Sequence, residues 1–271
     1  HSDVDVLVLL PADGAPPASA IEQFFATLWD IGIELSHAVR TVDECETEMV
    51  ADVTVRTSLL ENRFLCGARP LFRRFRERFA ALMDVRAFYA AKALEQQQRH
   101  LKYQDAIYNL EPNVKESPGR LRDLASVLWI ARAAGLGRGW GDLAKAGLLT
   151  PAEARIVSRQ ERLIGGLRVR LHYLAGRRED RLVFDLQNQL ARDLALVDTP
   201  NRRASEQLMQ RYYRAAKLVQ RANVIMLQNL HARLLPIDVV ARPIGANFAA
   251  IDELLHIRDE HLFERDPSAI L

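Results

Sequence analysis

Cysteine is scarce in this sequence, which has only Cys45 and Cys66 among its 271 residues. Two cysteines cannot form a disulfide framework, and they lack the Cys-x-x-Cys spacing that is typical of redox and zinc sites. Thiols that stay reduced are the rule in the cytoplasm. The sequence therefore predicts a cytoplasmic protein without structural disulfide bonds.

Long hydrophobic runs and an excess of one charge are also missing. No apolar segment approaches the roughly 20 residues that cross a bilayer, and the first residues are too polar and acidic for a signal peptide. A net charge of +2 does not by itself indicate nucleic-acid binding. The arginine clusters within residues 69–78 and 168–181 are interpreted as solvated helix faces. We expect neither a membrane nor DNA as a partner.

Two acidic residues near the start form the first candidate site. The tetrad Ser2-Asp3-Val4-Asp5 leads into the apolar segment 6–10 (VLVLL), which is typical of a buried strand. Side chains alternate along a strand, so Asp3 and Asp5 would share one face. Mg²⁺ is usually held by one or two carboxylates together with substrate phosphates. The pair therefore predicts a magnesium site for phosphoryl or nucleotidyl transfer, and the alternative is two ordinary acids beside a strand.

The first part of the chain mixes strands and helices. A second strand is predicted at residues 33–39, and a helix after Asp52 is predicted to reach residue 65. Asp52 is better explained as a helix cap than as a third catalytic acid. Two pairs of residues have the spacing of a capping box, Ser19 with Glu22 and Thr41 with Glu44.

Beyond residue 69 the apolar spacing is helical almost everywhere. One long helix is predicted from residue 70 to about residue 103, another after the segment 117–119 (SPG), and a third from Thr150. Further helices are predicted at residues 205–235 and in the last 25 residues. The fold class is therefore α+β, with a small α/β part at residues 1–68 and a mostly helical bundle at residues 69–271.

The most specific pattern is the segment 108–123 (YNLEPNVKESPGRLRD). It resembles the start of the helical domain in the bacterial PII uridylyltransferase/uridylyl-removing enzymes. Three other segments support the same resemblance: 37–45 (HAVRTVDEC), 52–63 (DVTVRTSLLENR) and 175–181 (AGRREDR) followed by Phe184 and Asp185. The resemblance extends over essentially the whole chain and implies that residues 1–68 are a truncated nucleotidyltransferase domain of the DNA polymerase β type.

The chain departs from that family in three ways. It begins after the glycine-rich nucleotide loop of the family, and it has no adjacent His-Asp pair, which marks the hydrolase domain that removes UMP. The Pro-Gly-Gly of the family is here Pro118-Gly119-Arg120. We therefore expect an internal fragment that neither transfers nor hydrolyses nucleotide by itself.

The resemblance implies that the parent enzyme transfers UMP from UTP to a tyrosine of the PII signalling protein in nitrogen regulation. Asp3 and Asp5 would be the catalytic and metal-binding residues, with Mg²⁺ as the cofactor. Ser2, His37 and Arg40 would contact the nucleotide from the α/β part. A structural role for His37 inside its strand remains the alternative.

Lys115 and Arg122 are the candidate phosphate contacts of the helical part. They flank a predicted helix start, where unpaired N–H groups favour an anion. The alternative is pairing with Glu116 or Asp123. Two other functions stay open, a non-catalytic fragment that binds a partner and an adenylyltransferase that acts on another protein.

Overall fold

The structure, a computed structural model, describes residues 4–103, 110–235, 242–251, 254–259 and 262–269. The chain divides into two compact units, His1–Leu234 and Leu235–Leu271. Ser2 and Asp3 lie outside the described residues. The predicted domain boundary after residue 68 stays a prediction.

The first unit begins with two parallel strands joined by a helix. Strand β1 (Val4–Leu10) pairs with β2 (Leu35–Thr41), and helix α1 (Ala18–Asp30) connects them. Both strands were expected, although each is shifted by two residues at one or both ends. The predicted capping box of Ser19 and Glu22 is wrong, because the N-cap of the helix is Pro17, two residues before Ser19, and it makes no side-chain hydrogen bond.

Local capping chemistry explains the next two helices. Thr41 and Glu44 form the predicted capping box at the start of α2 (Val42–Ala51). The side chain of Asp52 accepts a hydrogen bond from the N–H of Thr54 and starts α3 (Val53–Leu60), as predicted. This helix ends at Leu60 rather than at residue 65.

The single long helix predicted from residue 70 to residue 103 is wrong. The structure has α4 (Arg69–Ala81) and α5 (Val85–Tyr103), with a turn between them. The carboxylate of Asp84 accepts a hydrogen bond from the N–H of Ala87 at 3.0 Å, so this acid acts as a start signal for α5. The phenylalanines Phe75 and Phe79 of α4 are buried.

Five further helices complete the described part of the first unit. They are α6 (Leu121–Ala133), α7 (Trp140–Lys145), α8 (Pro151–Ala175), α9 (Phe184–Asp193) and α10 (Ala204–Leu234). Thr150 and Glu153 form a capping box at the start of α8. The long helix α10 packs against α5, α6, α8 and α9 and is therefore the centre of the bundle. Its residues Tyr212 and Val219 are fully buried there.

The second unit differs from the helix expected in the last 25 residues. Its described part has three antiparallel strands and one short helix, namely β3 (Arg242–Ile244), β4 (Phe248–Ile251), β5 (Leu254–Ile257) and α11 (Leu262–Arg265). The helical prediction is wrong for the strands β4 and β5, whose sequences FAAI and LLHI are short apolar runs that do not by themselves distinguish a strand from a helix.

The described structure confirms an α+β protein that is mostly helical. The DNA polymerase β type of the residues before 69 stays a prediction. None of the helices within the described ranges combines the length and apolar character that crossing a bilayer requires.

Candidate functional site

The segment that was singled out in the sequence surrounds a buried carboxylate. Asp123, in the first turn of α6, is fully buried. One of its oxygens accepts a hydrogen bond from Arg99 Nη2 at 2.5 Å, and the other accepts one from the N–H of Gly119 at 2.7 Å. His100 Nε2 lies 2.9 Å and 3.1 Å from the two oxygens. Asp123 therefore joins α5 to the loop before α6.

A second carboxylate, that of Glu116, lies closer to solvent among three basic side chains. Arg122 Nη2 donates to Glu116 Oε1 at 3.0 Å, and Lys115 Nζ lies 3.5 Å from the same oxygen. Arg99 Nε lies 3.9 Å from Oε2. Burial raises the pKa of Glu116, but Arg122, Lys115 and Arg99 together outweigh this effect and hold the pKa below its ordinary value. The carboxylate is therefore ionised at neutral pH.

The indole ring of Trp129 lies under two of the basic side chains. Lys92 Nζ is 4.5 Å from the ring centroid, and the guanidinium carbon of Arg122 is 5.3 Å from it. Lys92 is 2% exposed and forms an ion pair with Glu95 at 2.6 Å. Burial lowers the pKa of Lys92, and the nearby charges of Arg122 and Arg99 lower it further, against the opposing effect of Glu95. Positive charge is thus concentrated on this side of α5 and α6.

The loop before α6 is built from its own polar side chains. Asn113 Oδ1 accepts hydrogen bonds from the N–H groups of Lys115 and Glu116 at 2.9 Å and 2.8 Å. The N–H of Arg122 donates to the carbonyl oxygen of Lys115 at 2.9 Å. The premise that the start of α6 offers unpaired N–H groups is therefore wrong at Arg122, and its side chain rather than its main chain is available to an anion.

The departure at Arg120 has a structural consequence. Its side chain is 1% exposed, Nε donates to the hydroxyl oxygen of Tyr212 at 2.6 Å, and Nη1 donates to the carbonyl oxygen of Pro118. The guanidinium carbon also lies 5.0 Å from the centroid of the Tyr212 ring. Gly119, in contrast, has no freedom to change, because it has φ +75° and an added Cβ would lie 2.5 Å from the carbonyl oxygen of Ala216.

A third carboxylate holds the same loop to α8. Asp180 accepts a hydrogen bond from Arg168 Nε at 2.6 Å, and His172 Nε2 lies 3.0 Å from it. The N–H of Val114 donates to the carbonyl oxygen of Asp180 at 2.8 Å. Burial raises the pKa of Asp180, but Arg168, His172 and Lys115 more than offset it, so that the pKa is below its ordinary value. The second arginine cluster is thus partly structural.

The candidate site residues on the two strands do not all lie on one face of the sheet. Asp5 is exposed and pairs in register with Ser36, whereas His37 pairs with Val6. Since neighbours along a strand point to opposite faces, Asp5 and His37 lie on opposite faces of the sheet. The His37 ring is 4.2 Å from that of Phe25 on α1, which is a packing contact. Arg40 lies on the face of Asp5, farther along the strand, with Glu48 at 3.6 Å.

Magnesium binding stays a prediction. An exposed carboxylate such as that of Asp5 is a suitable oxygen ligand for Mg²⁺. Its expected partner Asp3 lies outside the described residues. Within those ranges no three His, Cys, Asp or Glu side chains are gathered closely enough to hold a metal ion. The chemistry of Asp5 fits the ion, whereas the described geometry assigns it no second carboxylate.

The sequence analysis found Lys115 and Arg122 but missed Arg99, Lys92 and the central role of Asp123. The structure brings Lys115 and Arg122 together around Glu116, which is the pairing considered as their alternative. Arg99 and Lys92 are basic residues at positions of α5 that face the bundle. A charged residue inside a helical apolar stripe was the available signal, because buried charges are usually paired or functional.

The basic side chains around Glu116 and Trp129, namely Lys92, Arg99, Lys115 and Arg122, form a cationic cluster. The fold and this cluster define a mostly helical protein with a partly open cationic site at the start of α6. A family model, GlnD PII-uridylyltransferase, matches residues 87–227, which is more than half of the chain and includes the whole cluster. The chain belongs to this family.

Individual relatives agree with the family match. The bifunctional uridylyltransferase/uridylyl-removing enzyme of Bordetella avium is 54% identical over 273 residues, and that of Nitrosospira multiformis is 50% identical over 279 residues. Both alignments cover all of this chain and 32% of the relative, so the chain spans about a third of the length of these proteins. No solved structure matches the chain.

Proposed function

We propose that this chain is part of an enzyme that transfers UMP from UTP to a tyrosine of the PII protein. The family membership and the names of the relatives support uridylyl transfer. The observation that carries the assignment of a site is the group of three basic side chains around Glu116, in the segment that the family model covers. A triphosphate is the most highly charged part of UTP, and clustered basic side chains are suited to it.

Each part of the chain has a different role in this proposal. Lys115 and Arg122 bind and orient the triphosphate from the helical side. Asp3 and Asp5 would hold Mg²⁺, which when bound would neutralise phosphate charge. Arg40, Ser2 and His37 remain candidate contacts to the nucleotide, and the packing of His37 on Phe25 favours a structural role for it.

The metal site is tested by transfer of labelled UMP to purified PII protein, with the full-length protein that contains this chain. Asp3→Asn and Asp5→Asn should each reduce the rate by about 10²-fold or more, because each removes charge that stabilises the transition state. Asp13→Asn, which changes an exposed acid in the loop after β1, is the matched control. Near-normal rates in both strand variants would remove the proposed site, and labelling from ATP rather than UTP would indicate an adenylyltransferase.

The helical contacts are tested by calorimetry of UTP binding to the same protein. Lys115→Ala and Arg122→Ala should each weaken UTP binding by about 10-fold, the loss expected for one charge-assisted hydrogen bond. Their melting temperatures should change little, since both side chains are partly exposed. An unchanged UTP affinity with a large loss of melting temperature would mean that these residues are structural ion-pair partners.

A further inference from the structure

The carboxylate of Glu116 lies where basic side chains converge from two helices and the loop between them. Arg122 comes from α6, Lys115 comes from the loop before it, and Arg99 comes from α5. Glu116 is 18% exposed, so it is accessible from solvent on one side. Its neighbours are therefore arranged around an anion that already belongs to the protein.

The carboxylate of Glu116 does not supply a hydrogen-bond acceptor to every N–H group around it. Arg99 is 8% exposed, and its Nη2 is used by Asp123, but its Nε and Nη1 are buried without a hydrogen-bond partner among the described residues. Nε points toward Glu116 at 3.9 Å and Nη1 toward Glu95 at 4.0 Å, both beyond hydrogen-bond length. Buried N–H groups without acceptors are costly, and they mark places where a further acceptor is favourable.

The balance of charges around Glu116 also favours a further anion. Arg99, Lys115 and Arg122 carry three positive charges, and the two carboxylates that bind them, Glu116 and Asp123, carry two negative ones. Lys92, beside Arg122 on the ring of Trp129, adds a fourth positive charge, and its ion-pair partner Glu95 at 2.6 Å adds a third negative one. The site thus has an excess of positive charge with Glu116 in place, and a larger excess without it.

We propose that Glu116 occupies the position of a phosphate group, and that a polyphosphate ligand displaces its side chain and gains Arg99 as a third basic contact. This inference rests on the proposed function, in which Lys115 and Arg122 bind the triphosphate of UTP. A phosphate group has more oxygens and more charge than a carboxylate, so it can reach the free N–H groups of Arg99 while it keeps Arg122 and Lys115. Glu116 is then a competitor of the ligand that sets its affinity.

The consequence is unusual, because the loss of a charged residue in the site should improve binding. Glu116→Gln removes the competing charge and leaves the three basic side chains in place. We expect inorganic tripolyphosphate and UTP to bind about 5- to 10-fold more tightly, which is the size of effect expected for one net hydrogen bond. Arg99→Lys, which keeps a positive charge for Asp123 but removes the free guanidinium N–H groups, should weaken both ligands by a similar factor.

The experiment is calorimetry of tripolyphosphate and of UTP with the full-length protein that contains this chain. Glu46→Gln is a matched control, since Glu46 is 17% exposed and accepts two hydrogen bonds from Arg78 at 2.5 Å and 2.7 Å, away from the cluster. The control should leave both affinities unchanged. If Glu116→Gln does not fold, Glu116→Asp, which retracts the carboxylate by one methylene, should still tighten binding.

The outcomes separate this inference from the proposed function. If Lys115→Ala and Arg122→Ala weaken UTP binding but Glu116→Gln leaves it unchanged or weakens it, the displacement by phosphate is wrong and the triphosphate contacts stand. If none of these variants changes the affinity, both proposals fail. Tighter tripolyphosphate and UTP binding by Glu116→Gln, with no change in Glu46→Gln, supports the inference.

Discussion

Replacement of Asp123 tests how strongly the buried carboxylate holds the helical bundle. Asp123 is fully buried, and its carboxylate binds Arg99, His100 and the N–H of Gly119. Its carbonyl oxygen accepts a hydrogen bond from Asn223 Nδ2 of α10 at 3.0 Å. The substitution Asp123→Asn keeps the shape of the side chain and removes its charge, so that Arg99 stays buried without an anionic partner of full strength.

The expected loss follows from that geometry. Removing one partner of a buried ion pair costs about 3–5 kcal/mol of the free energy of unfolding, because the remaining charge is left uncompensated. For a chain of this size such a loss lowers the melting temperature by about 6–20 °C. The double variant Arg99→Met/Asp123→Asn should recover part of the loss, since the buried charge is then removed together with its partner.

The assay is urea unfolding followed by circular dichroism, together with thermal melting. The control is Asp193→Asn, which breaks an exposed ion pair with Arg170 at 2.8 Å and should cost at most about 1 kcal/mol. If Asp123→Asn costs no more than Asp193→Asn, the buried network contributes little and the argument from burial is refuted.

Three other predictions follow from the described geometry. Gly119→Ala should cost more than about 1 kcal/mol in urea unfolding, whereas Gly165→Ala, in an open helical position, should be neutral or stabilising. The pKa of Asp180 is below its ordinary value of 3.8, so the ionised carboxylate stabilises the folded protein above that pH, and this contribution is lost as the pH falls through the folded-state pKa. Below about pH 4 the urea midpoint of Asp180→Asn should therefore fall less steeply than that of the unchanged protein. Burial raises the pKa of Cys45 to about 11, so a thiol reagent at pH 8 should label the exposed Cys66 and not Cys45 in the folded protein.

The elements predicted correctly from the sequence are those with local signals. The capping box at Thr41 and the helix start at Thr150 depend on residues at most three positions apart, and the structure contains both. The start of α10, which was predicted at residue 205 and lies at Ala204, follows from helical periodicity in the same way. Such signals act over one turn, so distant parts of the chain do not change them.

The errors arose where a local pattern was continued too far. The apolar spacing runs on from α4 into α5, and the prediction of one long helix missed Asp84, whose carboxylate accepts a hydrogen bond from the N–H of Ala87 at the start of α5. Pro17, with φ −60° and ψ 141°, is the N-cap of α1 in place of Ser19, and it makes no side-chain hydrogen bond. The strands β4 and β5 were missed because short apolar runs such as FAAI and LLHI fit a buried helix as well as a strand.

The cationic cluster depends on contacts that no local pattern contains. Gln96 on α5 donates to Asn223 on α10, 127 positions away, and Arg99 reaches Asp123 across 24 positions. Position in the fold, rather than residue type, therefore decides which of the many arginines are buried in this network and which lie on solvated faces.

The same contacts divide the segment 108–123 into two groups of residues. Asn113, Gly119 and Asp123 are used in hydrogen bonds that fix the loop before α6, so the shape of the loop explains their presence. Lys115 and Arg122 remain partly exposed, and in the described structure they bind Glu116 rather than a residue that fixes the loop. A segment needed for packing alone has no use for three charges gathered at its surface, and this is why the affinity for a polyphosphate, measured with and without Glu116, is the decisive property of the site.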